Sequence, residues 1–154
     1  MTIETKRLLL CPLSARQMRL WLSDLPALER EWDCHYEGEP VEGTFREIVQ
    51  QQWKITSMDE RNYLFHSFWL LLRKADRTVV GAADFKAPPN ARGEVEIGYG
   101  LGGAHERRGY MTEAVDALCD WALQREDVES VLAETERKNR PSQNVLRRCR
   151  FVLE

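Results

Sequence analysis

The spacing of apolar residues changes twice along this chain, and no other feature of the sequence limits the possible folds as strongly. Near the N-terminus apolar residues recur every three or four positions, as in amphipathic helices. From Phe65 to Leu101 the spacing becomes that of strands joined by short turns, and after Gly109 it is helical again. This order predicts a mixed α/β fold in which an antiparallel meander lies between helical segments.

The boundaries of the predicted elements follow from the residues that interrupt these runs. Pro12 ends a first strand, Ser14 can cap the first helix, and Pro141 suits the first turn of the last helix. The predicted strands are Thr5–Pro12, Phe65–Arg73, Val79–Lys86, Glu94–Leu101 and Ser130–Thr135. The predicted helices are one after Ser14 that contains Met18, Trp21, Leu22 and Leu25, and three more at Thr44–Met58, Tyr110–Gln124 and Pro141–Cys149. The segment Trp32–Gly43 is expected to be a loop.

Length and composition exclude several classes of protein. A chain of 154 residues suits one domain, 1–154. No apolar run has the length of a signal peptide core or of a membrane span. The four cysteines are far apart and form no CxxC pair, so neither a zinc site nor a redox motif is expected. We therefore expect a cytoplasmic protein with reduced thiols and no contact with a membrane.

The net charge of −3 is the sum of two opposed segments. Residues 29–47 contain seven acids and two bases, whereas residues 136–150 contain six bases and one acid. Such charge clusters can be solvated surfaces. Alternatively, the first segment lies near a site for a cationic substrate and the second near a site for a phosphate-bearing ligand. A nucleic-acid patch at the second segment is disfavoured because the chain is not basic overall.

The stretch from Gly102 to Thr112 joins a predicted strand to a predicted helix and combines glycines with Arg107 and Arg108. The first turn of a helix presents unpaired N–H groups and the positive end of the helix dipole, and both favour an anion such as phosphate. The stretch matches neither the Walker loop nor the GxGxxG motif. A plain turn with two solvated arginines is the alternative.

Four segments stand out together: Ile3–Leu10 (IETKRLLL), Glu94–Leu101 (EVEIGYGL), Arg108–Ala114 (RGYMTEA) and Asn139–Leu146 (NRPSQNVL). The last three, in this order and at this spacing, resemble the GNAT superfamily of acyl-CoA N-acyltransferases. The first resembles the opening of its RimJ/RimL-like branch, whose members acetylate N-terminal amines of ribosomal proteins and, in relatives, other amines. The resemblance extends from residue 3 to the end of the chain.

The resemblance implies a GNAT-like fold and an N-acetyltransferase that moves an acetyl group from acetyl-CoA to a primary amine, directly and in a ternary complex. It implies acetyl-CoA as co-substrate and no metal. The family's pyrophosphate loop corresponds to Glu106–Met111, where Glu106 replaces the usual Gln or Arg and is expected either to point away from the phosphates or to weaken their binding. The residues expected to bind acetyl-CoA are Arg107, Arg108, Gly109, Tyr110, Met111, Thr112, Asn139 and Ser142.

Acetylation of an amine requires a base, because an alkylammonium with a pKa of about 10.4 must lose a proton before its nitrogen can attack. Period-two alternation puts Glu94, Glu96, Gly98 and Gly100 on one face of their strand, and the glycines let a ligand approach the backbone. Glu96 is the predicted base, with an ion pair to a neighbouring strand as the alternative. Glu134 is a weaker candidate.

Ser142 is the predicted proton donor to the leaving thiolate, although serine at this position also caps helices. Some relatives use a tyrosine one turn later, where this chain has Leu146. In the family the pantetheine arm lies between two parallel strands that splay apart, and a strand N–H polarises the thioester carbonyl. The corresponding strands here are Glu94–Leu101 and Ser130–Thr135.

Family members usually continue for two more strands after the helix that carries Asn139 and Ser142, whereas this sequence ends at Glu154. We therefore expect a fold without the last two C-terminal strands and an exposed edge at Ser130–Thr135. A shortened chain, a homodimer that completes this edge, and impaired activity are all compatible with that expectation. The alternative function is a catalytically impaired CoA-binding or regulatory module.

Overall fold

One seven-stranded sheet forms the centre of the protein in a computed structural model that describes residues 1–154. Its strands are β1 (Ile3–Glu4), β2 (Leu8–Pro12), β3 (His35–Tyr36), β4 (Phe68–Arg73), β5 (Thr78–Phe85), β6 (Glu94–Leu101) and β7 (Ser130–Leu132). The helices are α1 (Ala15–Ser23), α2 (Leu25–Trp32), α3 (Gly43–Met58), α4 (Tyr63–His66), α5 (Tyr110–Leu123) and α6 (Arg140–Arg148). This mixed α/β fold is the class that the sequence predicts.

The strands lie in the order β1-β2-β4-β5-β6-β7, and β3 pairs with the start of β5. Pairing is antiparallel from β1 to β6, as predicted for the meander, while β6 and β7 are parallel. A bulge in β5 lies opposite Leu71 and Leu72, where the register shifts by one residue. β7 ends the sheet, with β6 as its neighbour.

Apolar side chains pack on both faces of the sheet. On one face Val95 and Ile97 join the buried stripe of α5, including Ala114 and Leu118. On the other face α1, α2 and α3 cover Phe68 and Ala82, with Trp21 among the fully buried side chains. We call these the α5 face and the α1–α3 face. The alternation of β6 thus directs its odd-numbered side chains to the α5 face and its even-numbered positions to the α1–α3 face.

The structure corrects the predicted N-terminal helix. Its start is confirmed, because the Ser14 side chain accepts from Gln17 N and the Gln17 side chain accepts from Ser14 N, which is a capping box. Asp24, however, leaves the helical conformation and its side chain caps a new helix, α2, by accepting from Ala27 N. The prediction that Leu25 belongs to the first helix is therefore wrong, since a cap interrupts an otherwise continuous apolar spacing.

Other boundaries also shift. The expected loop Trp32–Gly43 contains β3, and Phe65 lies in α4 rather than in a strand. The predicted strand Thr5–Pro12 begins only at Leu8, and the strand that starts at Ser130 ends at Leu132. Hydrogen bonding across the sheet, which a single sequence does not reveal, sets these limits.

No helix has the length and apolar character needed to cross a membrane. The structure contains no cluster of three or more side chains arranged to hold a metal ion. All four cysteines are free thiols.

Candidate functional site

The parallel strands β6 and β7 separate after a short paired stretch. They pair at Glu94–Ser130, Val95–Val131 and Glu96–Leu132. β6 then continues for five residues to Leu101 without a partner on this side. β6 therefore has no strand partner on this side beyond Glu96, and we call the unpaired side of Ile97–Leu101 the β6–β7 gap.

The backbone of β6 presents donors to this gap. Lys86 N donates to Glu96 O, and Gly102 N donates to Val80 O, so the even-numbered residues bond to β5. Because successive residues of a strand point their N–H groups to opposite sides, the N–H groups of Ile97 and Tyr99 face the gap. A donor of this kind can stabilise the negative charge that develops on a carbonyl oxygen under attack.

The loop before α5 has the backbone geometry of a candidate anion site. Arg107 and Gly109 have φ angles of 65° and 79°, and no side chain caps α5. The N–H groups of Tyr110, Met111 and Thr112 belong to the first turn, where a helix has no internal acceptors. Together with the positive end of the helix dipole, these N–H groups would favour a bound phosphate, and phosphate binding by this loop stays a prediction.

Arg7 fixes the position of this loop. Its Nη1 donates to Arg108 O at 2.9 Å, its Nε donates to Glu113 Oε1 at 2.8 Å, and its guanidinium carbon lies 4.4 Å from the centre of the Tyr110 ring. Glu113 also accepts from Thr5 Oγ1 and from Arg7 N. Burial favours the neutral acid, but these hydrogen bonds outweigh it and lower the pKa of Glu113.

Neither Arg7 nor Glu113 was predicted as part of the site. Each residue lies in one of the four segments that carry the family resemblance, Ile3–Leu10 and Arg108–Ala114. Nothing in the sequence pairs them across more than a hundred residues, so their contact emerges only in the folded chain.

A second set of polar contacts supports the loop from the acidic segment. His105 is 4% exposed, and its Nε2 lies 2.7 Å from Glu37 Oε1. Arg73 Nη1 donates to Tyr110 Oη at 3.2 Å, which lowers the pKa of Tyr110. Glu37 is itself exposed, so the acidic segment 29–47 contacts the loop through a solvent-accessible side chain.

The loop residues that are predicted to bind acetyl-CoA differ in whether the side chain or only the backbone is accessible to a ligand. Arg107 and Arg108 are exposed, whereas the side chains of Tyr110 and Met111 are buried. Tyr110 and Met111 can therefore contribute only backbone N–H groups to a phosphate. Thr112 Oγ1 is buried and has no hydrogen-bond partner within the protein.

The predicted pair Asn139 and Ser142 lies at the start of α6. Asn139 Oδ1 accepts from Ser142 N at 3.2 Å, so Asn139 is the helix cap. Ser142 Oγ is instead hydrogen-bonded to Tyr99 Oη at 2.8 Å. Burial raises the pKa of Tyr99, and the bond to Ser142 only partly offsets this. Tyr99 was not predicted; it lies on the unpaired part of β6 and so brings Ser142 to the gap.

Two carboxylates lie on the α1–α3 face near the point where β6 and β7 separate. The predicted base Glu96 is half-buried and is the last residue of β6 to pair with β7. Asp84 of β5 lies opposite Gly98 and is 4% exposed. Burial raises the pKa of Asp84 to about 6, Lys86 lowers it and Glu96 adds to the increase.

Sequence reasoning missed Asp84, although a signal was present. Asp84 is the only charged residue in the otherwise apolar run Thr78–Phe85. An acid inside a buried strand is costly without a partner, so it points to a special role. The weaker candidate Glu134 is exposed and lies beyond the end of β7, away from the paired stretch.

A test of the anion site follows from Gly109. Its φ angle of 79° lies in the left-handed region, and an added Cβ would come within 3.3 Å of Arg7 Nη2. Gly109→Ala should cost about 1–2 kcal/mol of folding free energy and weaken acetyl-CoA binding. Urea unfolding and calorimetric titration measure the two effects. Gly103→Ala is the control for folding, because nothing lies within 4 Å of its added Cβ; equal stability of the two variants would contradict the prediction.

Comparison with known proteins adds independent findings. The acetyltransferase (GNAT) domain family matches residues 7–152. The uncharacterized N-acetyltransferase YjdG of Bacillus subtilis is 30% identical over 151 residues, which cover 92% of this chain and 89% of YjdG.

Two solved structures have the same fold. The RimL ribosomal L7/L12 α-N-protein acetyltransferase, solved in complex with coenzyme A, superposes with a TM-score of 0.72 at 18% identity and covers 100% of this chain and 85% of its own. The ribosomal-protein-S5-alanine acetyltransferase of Vibrio fischeri gives a TM-score of 0.71 at 17% identity, with coverages of 100% and 84%. At these identities the likeness is one of fold.

Proposed function

Because the chain belongs to the GNAT acetyltransferase family, we propose that it transfers an acetyl group from acetyl-CoA to a primary amine, directly and within a ternary complex. The observation that carries this proposal is the β6–β7 gap, which has an anion site at the start of α5 and carboxylates on the α1–α3 face. A thioester held in such a gap can be approached by an amine from the face opposite α5.

The donor side of the site fits acetyl-CoA. The pyrophosphate would lie on the loop Arg107–Thr112, where the uncapped N–H groups and two exposed arginines supply donors and positive charge. The pantetheine arm would extend into the gap. The N–H of Ile97 or Tyr99 would then donate to the thioester oxygen and stabilise the tetrahedral intermediate.

The leaving group needs a proton when the C–S bond breaks. Ser142 is the proposed donor, and its hydroxyl is already paired with Tyr99 Oη at 2.8 Å. A hydroxyl pair of this kind can give a proton to sulfur at one end and recover it at the other. Asn139 holds the backbone of Ser142 in place.

The acceptor is proposed to be an amine of a protein N-terminus or of a small molecule. Support for a protein N-terminus comes from the structural neighbours, whose names describe acetylation of ribosomal proteins. Glu96, next to the point where the strands separate, is the proposed carboxylate that accepts the amine proton, directly or through a second group.

The test is to incubate the purified chain with acetyl-CoA and a panel of amines. The panel holds peptides with free N-terminal serine or alanine, spermidine and an aminoglycoside, and mass spectrometry detects products heavier by one acetyl group. We expect acetylation of at least one amine, intersecting initial-rate patterns and no acetylated enzyme intermediate.

Two other results would contradict parts of this proposal. Binding of acetyl-CoA without acetylation of any amine would contradict the enzyme proposal and favour a CoA-binding module. A stable acetyl-enzyme with parallel initial-rate patterns would contradict direct transfer.

A further inference from the structure

Asp84 is a buried carboxylate without a partner. It is 4% exposed, and no protein group donates a hydrogen bond to it. Lys86 is its only cationic neighbour, yet the two form no ion pair within 4.0 Å. A buried charge that has only one nearby cation and no hydrogen-bond donor is expensive, and such groups cluster at functional sites.

The position of Asp84 connects it to the β6–β7 gap. It lies opposite Gly98, which belongs to the unpaired part of β6. A Cβ at Gly98 would stand 2.9 Å from both Asp84 Oδ1 and Lys86 Nζ, so the missing side chain makes room for these two groups. Gly100 lies two residues further along β6, on the same face. No atom lies within 4 Å of the position that a Cβ on Gly100 would occupy. Open space therefore lies along β6, two residues from the position opposite Asp84.

The surroundings of Asp84 favour a positively charged ligand. Phe68 lies opposite it on β4, and Phe68 packs edge-on against Phe45 and Trp21 with ring centres 5.9 and 5.4 Å apart. The remaining charged neighbours are Glu96 and the exposed Lys86. An alkylammonium would bring the hydrogen bonds and the charge that Asp84 lacks.

We infer that Asp84 receives the ammonium group of the acceptor and takes its proton, and that Glu96 passes this proton on to solvent. This inference rests on the proposed function. Glu96 suits the outer position because it is half-buried at the mouth of the gap, on the same face and two residues along β6 from Gly98.

The reaction balances with these groups. The ammonium gives one proton to the Asp84 carboxylate and becomes a neutral amine, whose lone pair forms the C–N bond with the thioester carbon. The C–S bond breaks and the sulfur leaves as a thiolate, which takes the hydroxyl proton of Ser142. The second proton of the nitrogen then replaces the proton that the Ser142–Tyr99 hydroxyl pair has given. Asp84 then returns its proton through Glu96 to solvent, so the net products are the acetamide, the CoA thiol and one proton.

The protonation behaviour of Asp84 suits this task. Its pKa of about 6 leaves the carboxylate ionised at neutral pH, yet closer to that of the amine than an exposed carboxylate would be. A base whose pKa lies near the working pH combines the correct protonation state with a useful driving force.

The experiment compares the wild-type chain with Asp84→Asn and Glu96→Gln, using acetyl-CoA and the best amine of the panel from pH 6 to pH 10. We expect Asp84→Asn to bind acetyl-CoA with unchanged affinity and to lose about 100-fold or more in kcat/KM at pH 7. The remaining kcat/KM of Asp84→Asn should rise about tenfold per pH unit up to the pKa of the amine. The variant lacks the base, so only amine that is already neutral in solution reacts. Glu96→Gln should lose less, since water can replace it.

Two results would overturn the inference. One is an Asp84→Asn variant with wild-type kcat/KM at pH 7; the other is a loss that stays constant over the whole pH range, which a structural role would produce. A wild-type chain that acetylates no amine would instead overturn the proposed function itself, and the inference with it.

Discussion

Asp84→Asn should make the protein more stable at pH 8 and no more stable at pH 4. The folded state holds the pKa of Asp84 near 6, whereas an unfolded aspartate has a pKa of about 3.9. Between these values the folded chain binds more protons than the unfolded chain, so the free energy of unfolding falls as pH rises through this window. Above it the ionised carboxylate costs about 3 kcal/mol as an upper bound.

The expected gain is smaller than this bound because the buried asparagine amide needs partners of its own. We predict about 1–2 kcal/mol at pH 8, or a melting temperature higher by roughly 2–8 °C. Thermal unfolding at pH 4, 6 and 8 measures the difference. Glu134→Gln is the control, since Glu134 is exposed and is not among the charged neighbours of Asp84. An Asp84→Asn effect of equal size at pH 4 and pH 8 would contradict the prediction.

Glu113→Ala should destabilise the protein by about 2 kcal/mol and weaken acetyl-CoA binding roughly tenfold. The change removes the acceptor of three hydrogen bonds from Thr5 and Arg7 and frees the side chain that holds Arg108 O. Because the folded state lowers the pKa of Glu113, its stabilisation is present above the usual glutamate range and is lost as pH falls below about 4.

Urea unfolding at pH 7 and pH 3.5 and calorimetric titration with acetyl-CoA test both parts. Asp120→Ala is a suitable control, because Asp120 is exposed on the same helix and makes no such contacts. Glu113→Gln should lie between wild type and Glu113→Ala, since its amide oxygen still accepts. A Glu113→Ala variant with normal stability and normal acetyl-CoA binding would contradict the prediction, because Arg7 would then hold the loop without Glu113.

Local signals predicted much of the fold. The meander β4–β6, the long helix α5 and the capping box at Ser14 follow from spacing and residue type, and the bounds of β6 agree residue for residue. The missed features depend on hydrogen bonds between distant segments. β3 exists because it pairs with Thr78 and Val79 of β5, and α2 exists because Asp24 caps it.

By itself, the sequence determined the class of fold, the family resemblance and the position of the candidate anion site before α5, because these depend on residue type at short range. Only the tertiary structure showed that Arg7 and Glu113 hold this loop, that Tyr99 is bonded to Ser142 and that Asp84 lies opposite Gly98. The physical reason is that burial and cross-strand register set the charge state and the partners of a side chain. Both arise only when residues far apart in the chain are brought together.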